Sequence, residues 1–146
     1  MLMNSSKTMI NEPALISWAE SRLGRPFIWG ETDCNVLALE ALDVITNGNN
    51  VAIAKGKYHS KLGAIRFLAR LGKGLADVVK EADGVEIDTC RYKTGDFLIM
   101  DHTAYEMAHV YLDGRLFSSH PETGVRLFKP VDQALTRAAF TVYRVM

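Results

Sequence analysis

The sequence predicts an α+β protein in which N-terminal helices pack on a C-terminal antiparallel β-sheet. Apolar residues recur at helical spacing as far as about residue 82, and short apolar or β-branched runs follow from residue 97 onward. The dipeptide Asp113-Gly114 between two of these runs is a strong signal for a two-residue hairpin turn. Helices followed by a series of strands are typical of the α+β class.

Each predicted helix has a start or stop signal. Asn11 can cap the first helix, which carries Pro13 in its first turn and ends at Gly24. The stretch Glu31-Thr32-Asp33 can cap the second helix, and Ser60 caps the third. The second helix is nearly all apolar and is therefore expected to be buried on most sides. The predicted helices run from Asn11 to Gly24, from Cys34 to about Ile45, from Ser60 to near Gly72 and from about Leu75 to Ala82.

The predicted strands are short runs between turn residues. They cover Phe97–Met100, Ala108–Leu112, Leu116–Ser119, Val125–Phe128 and Thr141–Val145. If Asp113 and Gly114 are the two turn residues, Leu112 faces Arg115 across the hairpin.

Length and composition suit one globular domain. The chain has 146 residues, of which 48% are hydrophobic and 23% charged. Lys+Arg and Asp+Glu number 17 each, so no basic excess indicates a nucleic-acid partner or an anionic membrane surface. We expect residues 1–10 to be a flexible tail and residues 11–146 to be a single domain.

No targeting or membrane segment is predicted. No apolar stretch approaches the roughly 20 residues that a membrane span needs. The first ten residues contain one Lys and no continuous apolar run, which argues against a secretory signal peptide. The expected location is therefore the cytoplasm in which the protein is made.

Cys34 is the first candidate for chemistry, because it begins a predicted helix. A thiol there lies at the positive end of the helix dipole, near free backbone N–H groups. Both features lower a thiol pKa, and the same N–H groups can receive an oxyanion. The alternative is a buried structural cysteine, which is common in apolar helices. We interpret Cys90, the other cysteine, as a free thiol too.

His109 and His120 supply the partners that a catalytic cysteine needs. His109 lies within a predicted strand, where propensity would not place it, and cysteine catalysis requires a histidine that is often distant along the chain. In the predicted hairpin His109 faces Ser118, and His120 lies diagonally on the same face. Either His120 or Ser118 could orient the base, or His120 could be an exposed strand-end residue.

No metal or cofactor is predicted. The four histidines form no HExxH pattern, and neither cysteine belongs to a CxxC pair. No Walker A or GxGxxG sequence is present either.

Three stretches together resemble the NlpC/P60 superfamily of papain-like cysteine peptidases. Residues 25–34, Arg-Pro-Phe-Ile-Trp-Gly-x-x-Asp-Cys, resemble its loop into the nucleophile helix. Residues 95–99, Gly-Asp-Phe-Leu-Ile, resemble its first strand, and residues 109–114 followed by His120 resemble its histidine strand, turn and orienting residue. The segment Lys55-Gly56-Lys57-Tyr58 with residues 63–68 is similar to a phage-associated branch.

The resemblance implies a papain-like fold and hydrolysis of amide bonds in peptidoglycan stem peptides through a thioester. Cys34 would be the nucleophile, His109 the base and His120 the orienting residue. The residues expected on the substrate and oxyanion side are Trp29, Asp33, Asn35 and Ser118. No cofactor is implied, and the phage branch implies other virion proteins as partners and association with the virion.

Two functional hypotheses therefore remain open. The first is a phage-encoded cell-wall hydrolase, favoured by Cys34, His109 and His120. The second is a weakly active or inactive structural tail or capsid component on the same fold. Phe27 stands where the family usually has Tyr, and Asn35-Val36 where it has Ser-Gly, which favours the second. A transacylase on this scaffold is a third, less favoured reading.

Overall fold

A computed structural model describes residues 10–88, 91–101, 106–129 and 140–145. Within these residues the chain forms four α-helices and six strands, so the α+β prediction is confirmed. The helices are α1 (Glu12–Arg22), α2 (Cys34–Thr46), α3 (Lys61–Leu71) and α4 (Leu75–Glu81). The strands are β1 (Gly84–Ile87), β2 (Phe97–Asp101), β3 (Glu106–Leu112), β4 (Arg115–His120), β5 (Gly124–Phe128) and β6 (Phe140–Val145).

All neighbouring strands in the sheet are antiparallel, in the order β1-β6-β2-β3-β4-β5. The β3–β4 hairpin has the predicted register, with Leu112 opposite Arg115. Asp113 and Gly114 both have positive φ, as a two-residue hairpin of this kind requires. The hairpin places the histidine strand β3 in the interior of the sheet, between β2 and β4.

The two faces of the sheet carry separate apolar clusters. The larger cluster joins the sheet to α1, α2 and α4 and includes Ala108, Val110 and Phe117. The smaller one, on the opposite face, consists of Leu98, Leu116, Val142 and partly buried neighbours. Because strand side chains alternate, odd-numbered residues of β3 share the face of the smaller cluster.

The predicted helix caps are confirmed. The side chains of Asn11, Asp33 and Ser60 each accept a backbone N–H at the start of α1, α2 and α3. α3 ends at Gly72 in the left-handed conformation. Strand β1 and the short 3₁₀ helix Asn50–Ile53 were not predicted. The sequence of β1, Gly-Val-Glu-Ile, is too short and polar to stand out, and its pairing with β6 comes from the distant end of the chain.

Several predictions fall outside the described residues. Cys90 and most of the predicted N-terminal tail are among these. Within the described ranges, no helix is both long and apolar enough to cross a membrane.

A buried carboxylate joins α2 to α1 and to the loop that follows α2. Glu40 accepts hydrogen bonds from Trp18 Nε1 at 3.1 Å, Arg22 Nε at 2.9 Å and Lys55 Nζ at 3.1 Å. Burial alone would raise the pKa of Glu40, but these three donors outweigh it and hold the pKa below its ordinary value. A carboxyl group with a lowered native pKa stabilises the fold above its unfolded pKa, and that contribution is lost as the pH falls through the native pKa.

We expect Glu40→Gln to lower the free energy of unfolding by about 2 kcal/mol at pH 7, because hydrogen bonds to charged groups are worth roughly 1.5–3 kcal/mol. The difference in unfolding free energy between variant and wild type should narrow as the pH falls below about 4.5, the pKa of this carboxyl in the unfolded chain. Urea unfolding at several pH values measures this difference. A gap that does not change with pH would contradict the account.

Candidate functional site

The start of α2 is fixed by the buried carboxylate of Asp33. Its Oδ1 accepts the backbone N–H groups of Asn35 at 3.1 Å and Val36 at 3.0 Å. Its Oδ2 accepts Gly30 N–H at 2.7 Å and the Tyr58 hydroxyl at 3.0 Å. Burial raises the pKa of Asp33, against the opposing effect of these hydrogen bonds. Asp33 therefore acts as the helix cap, and it occupies two N–H groups that the sequence had offered to an oxyanion.

The Cys34 thiol lies beneath the surface at the first residue of α2, with 6% of the residue exposed. Its Sγ accepts the backbone N–H of Ala108 in β3 at 3.5 Å and lies 3.9 Å from Asn35 Oδ1. Burial, with the nearby Asp33 charge, raises the pKa of Cys34 to about 12. The predicted lowering of this pKa is therefore wrong for the resting structure, because desolvation outweighs the helix dipole.

Cys34 meets β3 where the β3–β4 ladder stops. The ladder contains the pairs Leu112–Arg115, Tyr111–Leu116 and Val110–Phe117. Ala108 is the next residue of β3 whose backbone groups point toward β4, and these groups bond to side chains instead of to the β4 backbone. Its N–H donates to Cys34 Sγ, and its C=O accepts the Ser118 hydroxyl at 2.7 Å. A strand N–H points along the plane of the sheet, so Sγ lies near that plane, in the gap between β3 and β4.

His109 is the residue immediately after this contact, and it is fully buried. It pairs with Leu98 in β2, so its side chain lies on the face opposite the helices. The structure brings His109 beside His120: the ring centroids are 6.0 Å apart and the planes are nearly perpendicular, at 88°. Cys34 and His109 thus approach β3 at adjacent positions, the thiol from the helix end and the imidazole on the far face.

The two candidates for orienting His109 are placed differently. The Ser118 hydroxyl donates to the Ala108 carbonyl and so closes the end of the hairpin. His120 stacks on Phe128 with 4.5 Å between centroids, and burial lowers the pKa of His120, with the Glu122 charge opposing. His120 is in ring contact with His109, but among the described residues its Nε2 has no hydrogen-bond partner.

A narrow cavity opens beside the thiol. Asp33, Cys34 and Asn35 line it from the start of α2, together with Phe27, Trp29, Tyr58 and Ser119. Its volume of about 20 Å³ is close to the space that one water molecule occupies. Trp29 packs edge-on against Phe27, with centroids 4.7 Å apart, and so forms an aromatic wall. The predicted substrate-side residues Trp29, Asp33 and Asn35 are therefore gathered around Cys34, whereas Ser118 is committed to the backbone.

Asn35 is held in place by β3. Its Nδ2 donates to the backbone carbonyl of Glu106 at 3.0 Å. The amide oxygen is the part that faces the thiol. To serve as an oxyanion donor, as the sequence suggested, the side chain would have to give up the bond to Glu106.

Two polar residues of the cavity were missed by sequence reasoning. Tyr58 lies in a polar loop and reaches Asp33 across 25 positions, which no local pattern reveals. Ser119 was assigned only to a strand, and nothing in a strand pattern identifies a serine whose face turns toward a distant cysteine. Within the described residues, no group of three or more His, Cys, Asp or Glu side chains is arranged to hold a metal ion.

The fold and the cavity define an α+β protein with a buried cysteine at a helix start, set against a six-stranded antiparallel sheet. The chain belongs to the DUF6950 family, described as a domain of unknown function, whose model matches residues 7–142. No curated protein matches the chain.

Proposed function

We propose that this protein is a cysteine hydrolase with a papain-like arrangement, in which Cys34 attacks an amide carbonyl and His109 is the base. The observation that carries the proposal is the 3.5 Å contact between Cys34 Sγ and Ala108 N–H. It joins a helix-start cysteine to the strand residue immediately before a buried histidine. The substrate class, peptidoglycan stem peptides, and the phage origin rest on the NlpC/P60 resemblance.

The raised pKa of Cys34 determines how such an enzyme would work. At neutral pH the resting thiol keeps its proton, so His109 acts as a general base during the attack. Sγ bonds to the carbonyl carbon, its proton passes through the gap between β3 and β4 to the imidazole on the far face of the sheet, and the amine leaves with that proton. The resulting thioester is then hydrolysed by water, which regenerates the thiol. His120 holds the base in orientation.

A second candidate is a structural component of a phage particle that has kept the fold without turnover. The burial of Cys34 and the small volume of its cavity, about 20 Å³, favour it, because a peptide has no room beside the thiol in this state. Under this alternative Cys34 is a core residue that closes the β3–β4 gap.

The test is digestion of purified peptidoglycan with product analysis by mass spectrometry. We expect the wild type to release peptide fragments, and Cys34→Ala and His109→Ala to release at least about 10³-fold less. His59→Ala is the matched histidine control, because His59 is exposed and does not line the Cys34 cavity. Equal and negligible release by all four proteins, with a self-associated wild type in ultracentrifugation, would overturn the enzyme in favour of the structural component.

A further inference from the structure

Ser119 carries a buried hydroxyl that the fold does not use. Ser119 is 1% exposed, and among the described residues its Oγ has no hydrogen-bond partner. Leaving a hydroxyl buried and unpaired costs free energy of about 1–3 kcal/mol. The adjacent Ser118 is equally buried but donates to the Ala108 carbonyl. The Ser118 hydroxyl therefore has a structural role, and the Ser119 hydroxyl has none.

The position of Ser119 on β4 places this residue beside the cysteine. Ser119 pairs with Val125, which belongs to the apolar cluster on the helix side of the sheet. It also lines the cavity that contains Cys34. Continuing the β3–β4 register beyond Val110–Phe117 sets Ser119 opposite Ala108, the residue whose N–H already reaches Sγ.

Two hydrogen-bond donors thus lie beside the thiol. The Ala108 N–H contacts Sγ itself, and the Ser119 hydroxyl belongs to a residue that lines the cavity next to Sγ. A carbonyl under attack by Sγ develops negative charge on its oxygen, and hydrogen-bond donors placed beside the sulfur can stabilise that charge. Phe27, which lines the same cavity, offers no hydroxyl, and the two α2 N–H groups are taken by Asp33.

We propose that the Ser119 hydroxyl, together with the Ala108 N–H, binds the carbonyl oxygen of the substrate and stabilises its oxyanion. This inference rests on the proposed function, because it assumes acyl transfer to Cys34. The Cys34 sulfur forms a bond to the carbonyl carbon, and the C=O π pair moves to the oxygen held by Ser119. The thiol proton passes to His109 and from His109 to the leaving amine, as the oxyanion collapses and the C–N bond breaks.

A comparison of two reagents tests the proposal without knowledge of the natural substrate. p-Nitrophenyl acetate acylates a thiol through an oxyanion and releases p-nitrophenolate, whereas iodoacetamide alkylates it by direct displacement with no oxyanion. We expect Ser119→Ala to slow acylation of Cys34 by about 10²-fold, the typical effect of losing one such donor. Alkylation should change less than about twofold, and stability should not fall, because the lost hydroxyl was unpaired.

Peptide mapping assigns the measured acylation and alkylation to Cys34, and Cys34→Ala is the unreactive control. Ser21→Ala is the matched serine control, since Ser21 is exposed on α1. If the wild type is acylated and Ser119→Ala is acylated equally fast, the role of Ser119 is overturned and the proposed function stands. If Ser119→Ala slows both reagents alike, the residue acts on the thiol or the fold and not on the oxyanion. If the wild type reacts with neither reagent, it is the proposed function that fails.

Discussion

Gly30→Ala is expected to lower the free energy of unfolding by about 3 kcal/mol and to disrupt the site around Cys34. Gly30 has φ +83°, a conformation that costs an L-residue about 1–2 kcal/mol. An added Cβ would also run into the backbone carbonyl oxygen of Tyr58, and such overpacking costs about 1–3 kcal/mol. Because that oxygen is backbone, the clash is relieved only by moving the loop away. Urea unfolding gives the change in stability.

Gly56→Ala is the matched control for this prediction. Gly56 has φ +76°, but an added Cβ meets nothing within 4 Å. Gly56 also lies in contact with the Gly30 loop, since its N–H donates to the Gly30 carbonyl at 2.8 Å. Its replacement should cost only the conformational part, about 1 kcal/mol. Equal losses in the two variants would show that close packing of the loops does not matter.

Asp33→Ala should have an effect of similar size, also about 3 kcal/mol. Loss of a helix N-cap costs about 0.5–2 kcal/mol, and the change also strips the Gly30 N–H and the Tyr58 hydroxyl of their acceptor. Buried donors without partners add about 1–3 kcal/mol. Thermal or urea unfolding of the purified variant measures the loss.

Asn11→Ala provides the comparison, because Asn11 caps α1 through one exposed hydrogen bond to Ala14 N–H. Its loss should cost about 1 kcal/mol. Asp33→Asn adds a second readout: it keeps a capping oxygen but removes the charge that helps to raise the Cys34 pKa. Alkylation of Cys34 at pH 8 should then become faster. An unchanged alkylation rate would mean that the Asp33 charge does not act on the thiol.

The sequence was sufficient for elements whose determinants are local. The caps at Asn11, Asp33 and Ser60, the hairpin turn and the five strands after residue 95 all follow from nearby residues. The Gly95-Asp96 pair at the start of β2 also has a physical basis. Gly95 has φ +99°, and the fully buried Asp96 binds Arg144 of β6 through two hydrogen bonds of 2.8 Å.

The parts that could not be predicted depend on distant contacts. The raised pKa of Cys34 results from burial against β3, which overrides the local effect of the helix dipole. The Tyr58–Asp33 bond joins two loops, and the position of Ser119 beside the cysteine depends on where the β3–β4 ladder ends. The neighbourhood of His109 and His120 was predictable, because hairpin register is fixed by its turn.

The pH dependence of Cys34 acylation tests directly whether His109 activates Cys34. The first turnover with p-nitrophenyl acetate is followed from pH 5 to 10 in the wild type and in His109→Ala. The proposed mechanism predicts a wild-type rate at neutral pH well above that of the variant, because the variant reacts only as free thiolate forms and its rate rises tenfold per pH unit toward the thiol pKa of about 12. Two superimposable profiles would contradict it.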